Sequence, residues 1–506
     1  MKNLYKLKPL LYLIFIFLIA LGILSRAVEV VNGNYIWGFD HGREYLMVKD
    51  IVDDRHFRLI GTALGAGSAG IQGIFHGPGY YYFLAIPYII FHGDPYGGVI
   101  LMFIFGVGAL IVGFLLGKKM FGNTGALLLT TLLALSPPLI AQARAIWSPF
   151  PSTFFVMLSL LFTYLINVPK IKKQNILVFL SAFFAGFVYN FEFAIALPLT
   201  LGLIVYCILI FGRKKIMRYV YLLLGFLAAY LPMIFFEIRH NFMALNGLYS
   251  YFTSPHKPNS LNYLQNLADH FGAFSYNLID TFPRQTLISP VVLYIILAVF
   301  LVIIIKKEKK QDTRKFLLYL MTLPAVTFFV LSFLRNTVYQ YYLFHLCVVY
   351  IIIFTYLVVN LFKTNNKAGI MIFSFIFFLF TANFISIYPK MIIFDLKDYG
   401  GNAKIEGKKD AIDYIYKDAG GKKFGLLVFT PPVYTYPYDY VIQWYGAKKY
   451  RYIPYSDKKG LFYLLIEVDP SKPWSYKGWL ETVVKEGKVL STVTLPSGLI
   501  VQKRIK

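Results

Sequence analysis

The chain has 506 residues, 58% of them hydrophobic, and a mean hydropathy of +0.59, which excludes an ordinary soluble globule. Its net charge of +25 would suit nucleic acid, yet the Lys and Arg residues fall in short segments between apolar runs. That placement is the positive-inside bias of a membrane protein, and it argues against a nucleic-acid partner.

Apolar runs of about 18–22 residues, long enough to cross a bilayer as helices, recur from the N-terminus to Pro389. Lys2, Lys6 and Lys8 precede the first, from Pro9 to about Leu24, and no small-residue cleavage site follows; it reads as a retained crossing. With the N-terminus cytoplasmic, residues 32–79 form a first exterior loop. The basic markers then follow in order: Lys118 and Lys119; Lys170, Lys172 and Lys173; Arg213, Lys214, Lys215 and Arg218; Lys306, Lys307, Lys309, Lys310, Arg314 and Lys315; Lys363 and Lys367. Each is separated from the next by enough apolar sequence for two crossings, so all share the cytoplasmic side. Residues 80–91 are apolar but too few for a span, and a crossing there would invert every later marker. They read as a short interfacial or re-entrant helix. The expected fold class is an α-helical polytopic membrane protein with about eleven crossings, near 9–28, 98–117, 125–142, 150–168, 175–190, 194–212, 218–236, 287–305, 316–334, 340–361 and 368–388. Cys207 and Cys347 lie inside apolar runs and give no disulfide framework.

Beyond residue 390 the composition changes. Residues 424–429 and 462–468 read as strands and 408–418 as an amphipathic helix, so 391–506 is expected to be a small α+β domain on the exterior, after a membrane domain of residues 1–390.

The chemically interesting residues gather on the exterior side. Asp40 and Glu44 follow the first span in the string Gly38-Phe39-Asp40-His41-Gly42-Arg43-Glu44; a partly shielded carboxylate there can act as a general base. His76-Gly77-Pro78-Gly79 reads first as a turn into the interfacial helix, and the glycine-rich stretch 61–70 as a flexible loop, since it lacks the Lys-Ser/Thr of a phosphate loop. Glu192 sits at the exterior end of two spans, where a carboxylate needs a partner or a function. Glu237, Arg239 and His240 close another span. Glu237 and Arg239 can pair with each other, or Arg239 and His240 can grip a phosphate. Arg335, with Tyr339 after it, is a second such cation, with snorkelling as its bland alternative. Arg144 is a cation in a loop without an acid of its own. No spacing demands a metal, and no serine or cysteine nucleophile motif is present.

Taken in order and sidedness, these residues resemble the GT-C superfamily of polytopic glycosyltransferases, specifically the group of the dolichyl-phosphate-mannose protein mannosyltransferases (glycosyltransferase family 39) and the aminoarabinose–lipid A transferases. The likeness spans roughly residues 8–390. It rests on Asp40 and Glu44 after one span, His76-Gly77-Pro78-Gly79 before three tyrosines, Phe121-Gly122-Asn123 after a basic turn, Ser136-Pro137-Pro138 with Arg144, and Arg335 with its tyrosines. It implies transfer of a sugar from a polyprenyl-phosphate donor to a lipid, glycan or protein acceptor on the non-cytoplasmic face, with Asp40 activating the acceptor. Relatives often carry a second acid after the arginine; here Trp147-Ser148-Pro149 stands instead, which leaves the use of a divalent cation and the acceptor class open. In-line displacement needs a base for the acceptor and cations for the developing phosphate charge, and it inverts the anomeric centre. The alternatives are a transporter or flippase of lipid-linked glycans, which would more often show Gly/Pro-broken helices in matching halves, and a non-catalytic assembly protein.

Overall fold

The computed structural model describes residues 2–64, 73–169, 171–212, 215–253, 263–281, 290–334, 337–364, 366–431 and 434–506. Arg335 therefore lies outside the described residues, as do Lys170, Arg213, Lys214 and residues 65–70 of the glycine-rich stretch.

The helices in chain order are α1 (Lys2–Arg26), α2 (Val28–Asn32), α3 (Phe39–Val52), α4 (Gly79–Ile90), α5 (Tyr96–Leu135), α6 (Pro137–Gln142), α7 (Ser152–Ile166), α8 (Gln174–Phe187), α9 (Phe193–Phe211), α10 (Ile216–Arg239), α11 (Met243–Thr253), α12 (Tyr263–Thr281), α13 (Pro290–Lys307), α14 (Gln311–Leu331), α15 (Phe344–Thr364), α16 (Asn366–Tyr388), α17 (Phe394–Lys397) and α18 (Ile405–Ala419). Among the described residues six helices are long and apolar enough to cross a membrane: Pro9–Arg26, Tyr96–Leu135, Phe193–Phe211, Ile216–Arg239, Gln311–Leu331 and Gln340–Phe362. The chain is a mostly helical membrane protein with a small C-terminal sheet.

At 1.5 Å per residue, the 40 residues of α5 would reach about 60 Å, twice a bilayer core of about 30 Å. The helix instead breaks at Gly122, whose φ of 79° only glycine adopts without strain, and folds back on itself. Gly117 then lies against Ala126 and Gly113 against Leu133, where a Cβ would come within 2.9 and 2.5 Å. The second arm runs parallel to α1: the Tyr12 hydroxyl is 2.9 Å from Thr124, and Gly22 faces the Ala134 carbonyl. The first turn of basic residues thus sits at the same end as the chain's N-terminus.

Other basic clusters meet there too. Tyr164 donates to the Lys119 carbonyl and to Asp312, Arg218 donates to Gln174, and Tyr356 donates to Glu308 and packs against Phe121. The helix α4 keeps both ends at the opposite rim, Gly79 on Asn190 and the residues after it on the C-terminal domain, so it does not cross the bundle.

Two expectations change. The span expected near 125–142 ends at Leu135, because Ser136 is held extended ahead of Pro137 and Pro138, and α6 restarts at the rim. The stretch between the spans expected near 218–236 and 287–305 contains two helices, α11 and α12.

The C-terminal sheet has strands β1 (Gly425–Phe429), β2 (Leu461–Ile466), β3 (Lys488–Thr494) and β4 (Ile500–Ile505) in the order β1-β2-β4-β3. β1 and β2 are parallel and the other pairs antiparallel. The apolar stripe of α18 (Ile405, Ala411, Ile412, Ile415) packs on this sheet. The segment between α1 and α3 is stitched to the C-terminal domain: Ile405 donates to the Tyr35 carbonyl, Trp37 donates to Ala403 and, through its indole, to Pro437.

Candidate functional site

The rim opposite the basic clusters carries nearly every charged residue singled out in the sequence. Helix α3 begins with a one-way cap in which the Gly38 amide donates to Nδ1 of His41 at 3.0 Å. Asp40 lies in the first turn, where the helix dipole favours an anion, and pairs with Arg43 at 2.8 Å. Its side chain remains 38% exposed and opens into a groove of about 210 Å³ lined by Ile36, Phe39, His41, Ala145, Trp147 and Phe150.

One turn on, Glu44 is fully buried. Its carboxyl faces the buried Tyr80 hydroxyl, among the described residues the one group that interacts with it directly, without the geometry of a full hydrogen bond. Burial pushes the Glu44 carboxyl up to about 8; Arg43 pulls against this and Asp40 adds to it. The two neighbouring carboxyls are thus differentiated by environment, one open and ion-paired, the other buried and neutral through most of the physiological range.

Two strings far apart in sequence dock together beside them. The Gly79 amide donates to Oδ1 of Asn190 at 2.8 Å, Tyr189 donates to the Phe75 carbonyl at 2.6 Å, and a Cβ on Gly77 would overlap Asn190. His76 is buried and accepts from the Phe193 amide at 3.3 Å; burial, then Arg43, pushes its imidazole down to about 4. Glu192 caps α9 by accepting from the Ala194 amide at 3.0 Å, and burial pushes its carboxyl up to about 8. Its field reaches Tyr341 and Tyr342, and Tyr341 packs edge-on against Trp147 at 4.9 Å, which closes the ring of residues back to the Asp40 groove.

Other expectations resolve differently. Arg144 is not open to a ligand: it makes a two-pronged pair with Glu29 (2.8 and 2.5 Å), a third bond to Asp395 at 2.7 Å and one to the Met391 carbonyl. Glu237 does not pair with Arg239; its oxygens accept from the Ala244 and Leu245 amides and cap α11. Arg239 and His240 are exposed at the end of α10. His240 stacks on Phe236, which touches Phe75 next to His76. Tyr339 is exposed and stacks on Tyr341. Among the described residues no three His, Cys, Asp or Glu side chains converge on a point that could hold a metal ion.

Sequence reading passed over Glu29 and Asp395, and it gave Tyr80 and Trp147 no part in the site. A signal existed for Glu29, an acid only three residues beyond the first span. None existed for Asp395, whose partner is 251 residues away.

No family model and no curated protein matches the sequence. Solved structures do. ArnT from Cupriavidus metallidurans bound to undecaprenyl phosphate matches with a TM-score of 0.51 and 12% identity over 96% of this chain and 97% of that one. Its apo state gives 0.49 and 11% over the same shares. The oligosaccharyltransferase of Archaeoglobus fulgidus, in complex with Zn and sulfate, gives 0.47 and 13% over 96% of this chain and 72% of that one. The first likeness shows that this chain shares the fold of that ArnT.

Proposed function

We propose that this protein is a membrane glycosyltransferase that moves a sugar from a polyprenyl-phosphate donor to an acceptor hydroxyl at the rim opposite its basic loops, with inversion. The observation that carries the reading is the open Asp40 carboxylate in an aromatic-walled groove at that rim, on the fold of a protein solved with undecaprenyl phosphate. Asp40 takes the acceptor proton as the acceptor oxygen attacks the anomeric carbon, and the polyprenyl phosphate departs on the far side. Arg239, with Arg335, supplies positive charge for the leaving phosphate, and the exposed His240 ring beside Arg239 offers it a hydrogen-bond donor. Trp147 and Tyr341 offer ring faces and edges to the sugar. Glu44 and Glu192, neutral when buried, shape the polarity of the site without adding negative charge beside a phosphate.

The test incubates the purified protein, in neutral lipid nanodiscs, with a panel of polyprenyl-phosphate sugars and follows release of the polyprenyl phosphate. Consumption of one donor, abolished in Asp40→Asn, is the expected result. Movement of a donor between leaflets without consumption would favour the flippase reading instead.

A further inference from the structure

A second cavity of about 210 Å³ lies between the first exterior segment and the C-terminal domain, lined by Lys49, Asp53, Tyr88, His92, Tyr440, Gln443, Trp444 and Lys448. An aromatic wall divides it from the Asp40 groove. Tyr440 packs on Trp37 at 5.6 Å and Tyr45 at 5.2 Å, while Trp37 faces His41. On the cavity's side Tyr440 and Trp444 lie nearly parallel, with centroids 6.1 Å apart.

The turn that presents His92 is unusual. α4 ends at Ile90, and His92 (φ 51°) and Gly93 (φ 85°) are both left-handed. The Gly93 amide donates to Tyr88 at 2.8 Å, closing the helix, and a Cβ on Gly93 would press on the Trp444 ring. Glycine is the usual residue at the first of these positions, and a side chain there carries strain. The strained residue is an imidazole at the mouth of a cavity flanked by two lysines. Lys49 shares Asp53 and Asp54 at 3.6 and 3.7 Å, and Lys448 is exposed. Exposed Ile86, Ile89 and Ile90 continue along α4 from the same turn, the face of a helix lying at a membrane surface.

We propose that this cavity binds an anionic saccharide. The sugar ring lies against the partly exposed Trp444 ring, which the buried Tyr440 backs, and its phosphate or carboxylate meets Lys448, Lys49 and His92. The saccharide is carried by a membrane lipid headgroup or by a soluble glycan, and the site functions apart from Asp40, so its test stands without the transferase reading.

The experiment uses the full chain in phosphatidylcholine nanodiscs. Binding of glucose 6-phosphate, glucose and inorganic phosphate is measured by saturation-transfer NMR, and in a second arm nanodiscs carry phosphatidylinositol and protein-bound lipid is counted by native mass spectrometry. Preference for glucose 6-phosphate over both controls identifies a soluble source, and enrichment of phosphatidylinositol a lipid source. In either case Lys49→Gln with Lys448→Glu should weaken binding at least tenfold with an unchanged melting temperature. His92→Gly should weaken it two- to fivefold while melting no lower than the native chain, because the turn favours glycine. Binding that these variants leave untouched, equal binding of inorganic phosphate alone, or no binding in either arm would overturn the proposal.

Discussion

Lys118, Lys119, Lys172, Lys173, Lys309, Lys310 and Arg314 stand exposed at one end of the bundle, whereas Glu29, Glu44, Arg144, Glu192 and Glu237 at the other end are buried. The first set acts by number and side, through the membrane's preference for cations on one face, and no single member is geometrically fixed. The second set acts by position. Arg144 ties α2 to α17, Glu192 and Glu237 start helices, and Glu44 is buried against Tyr80. One membrane protein thus uses charge in two ways, and substitutions should separate them.

The largest effect is expected at Asp40. Asp40→Asn should lower sugar transfer by about 10²–10⁴-fold, the usual worth of a general base, with folding intact. Turnover like that of the native chain would remove Asp40 from the mechanism. Arg144→Met should cost about 3–5 kcal/mol of stability, because it strands Glu29 and Asp395 at a buried junction. An unchanged denaturation midpoint would show that the trio is not a linked unit.

Glu44→Gln sharpens the comparison through pH. The folded carboxyl titrates near 8 and the unfolded one near 4.5, so between these values only the folded state holds the proton. Stability contributed by the neutral acid is full below about 4.5, falls as pH rises towards 8 and is flat above. Relative to the native chain, Glu44→Gln should therefore gain on the order of a few kcal/mol as pH is raised from 5 to 8, read as the difference between two melting curves. Parallel curves would place Glu44 in a wetter site.

Gly42→Ala puts a methyl into the backbone of Tyr436 and Pro437, and it should cost about 1–3 kcal/mol and loosen the C-terminal domain, seen as faster proteolysis beyond residue 390. Lys118→Gln with Lys119→Gln should change stability by less than about 0.5 kcal/mol. A cysteine placed at 118 in the native background should react only after permeabilisation; labelling from outside would invert the assignment of the two rims.

The positions of the helices were largely readable, since hydropathy over about twenty residues is a local property of the chain and the cations between runs give its direction. The site was readable only as a set of candidates. Asp40 and Glu44 look equivalent in sequence, and burial by Tyr80 and its neighbours makes them chemically different. Arg144 looked like a free cation because its acids come from positions 29 and 395. The Pro pair after Ser136 was visible, yet its effect on the span depended on where the bundle's rim falls.

Amino-acid order by itself determined that this chain enters a membrane repeatedly, which loops carry its cations, and that a small mixed domain follows. Tertiary structure alone decided which acids are open, which are neutral and which are bound in ion pairs. The reason is one of range: transfer of apolar side chains is summed residue by residue along the chain, whereas desolvation and Coulomb energies depend on atoms a few ångströms away that can lie hundreds of residues off.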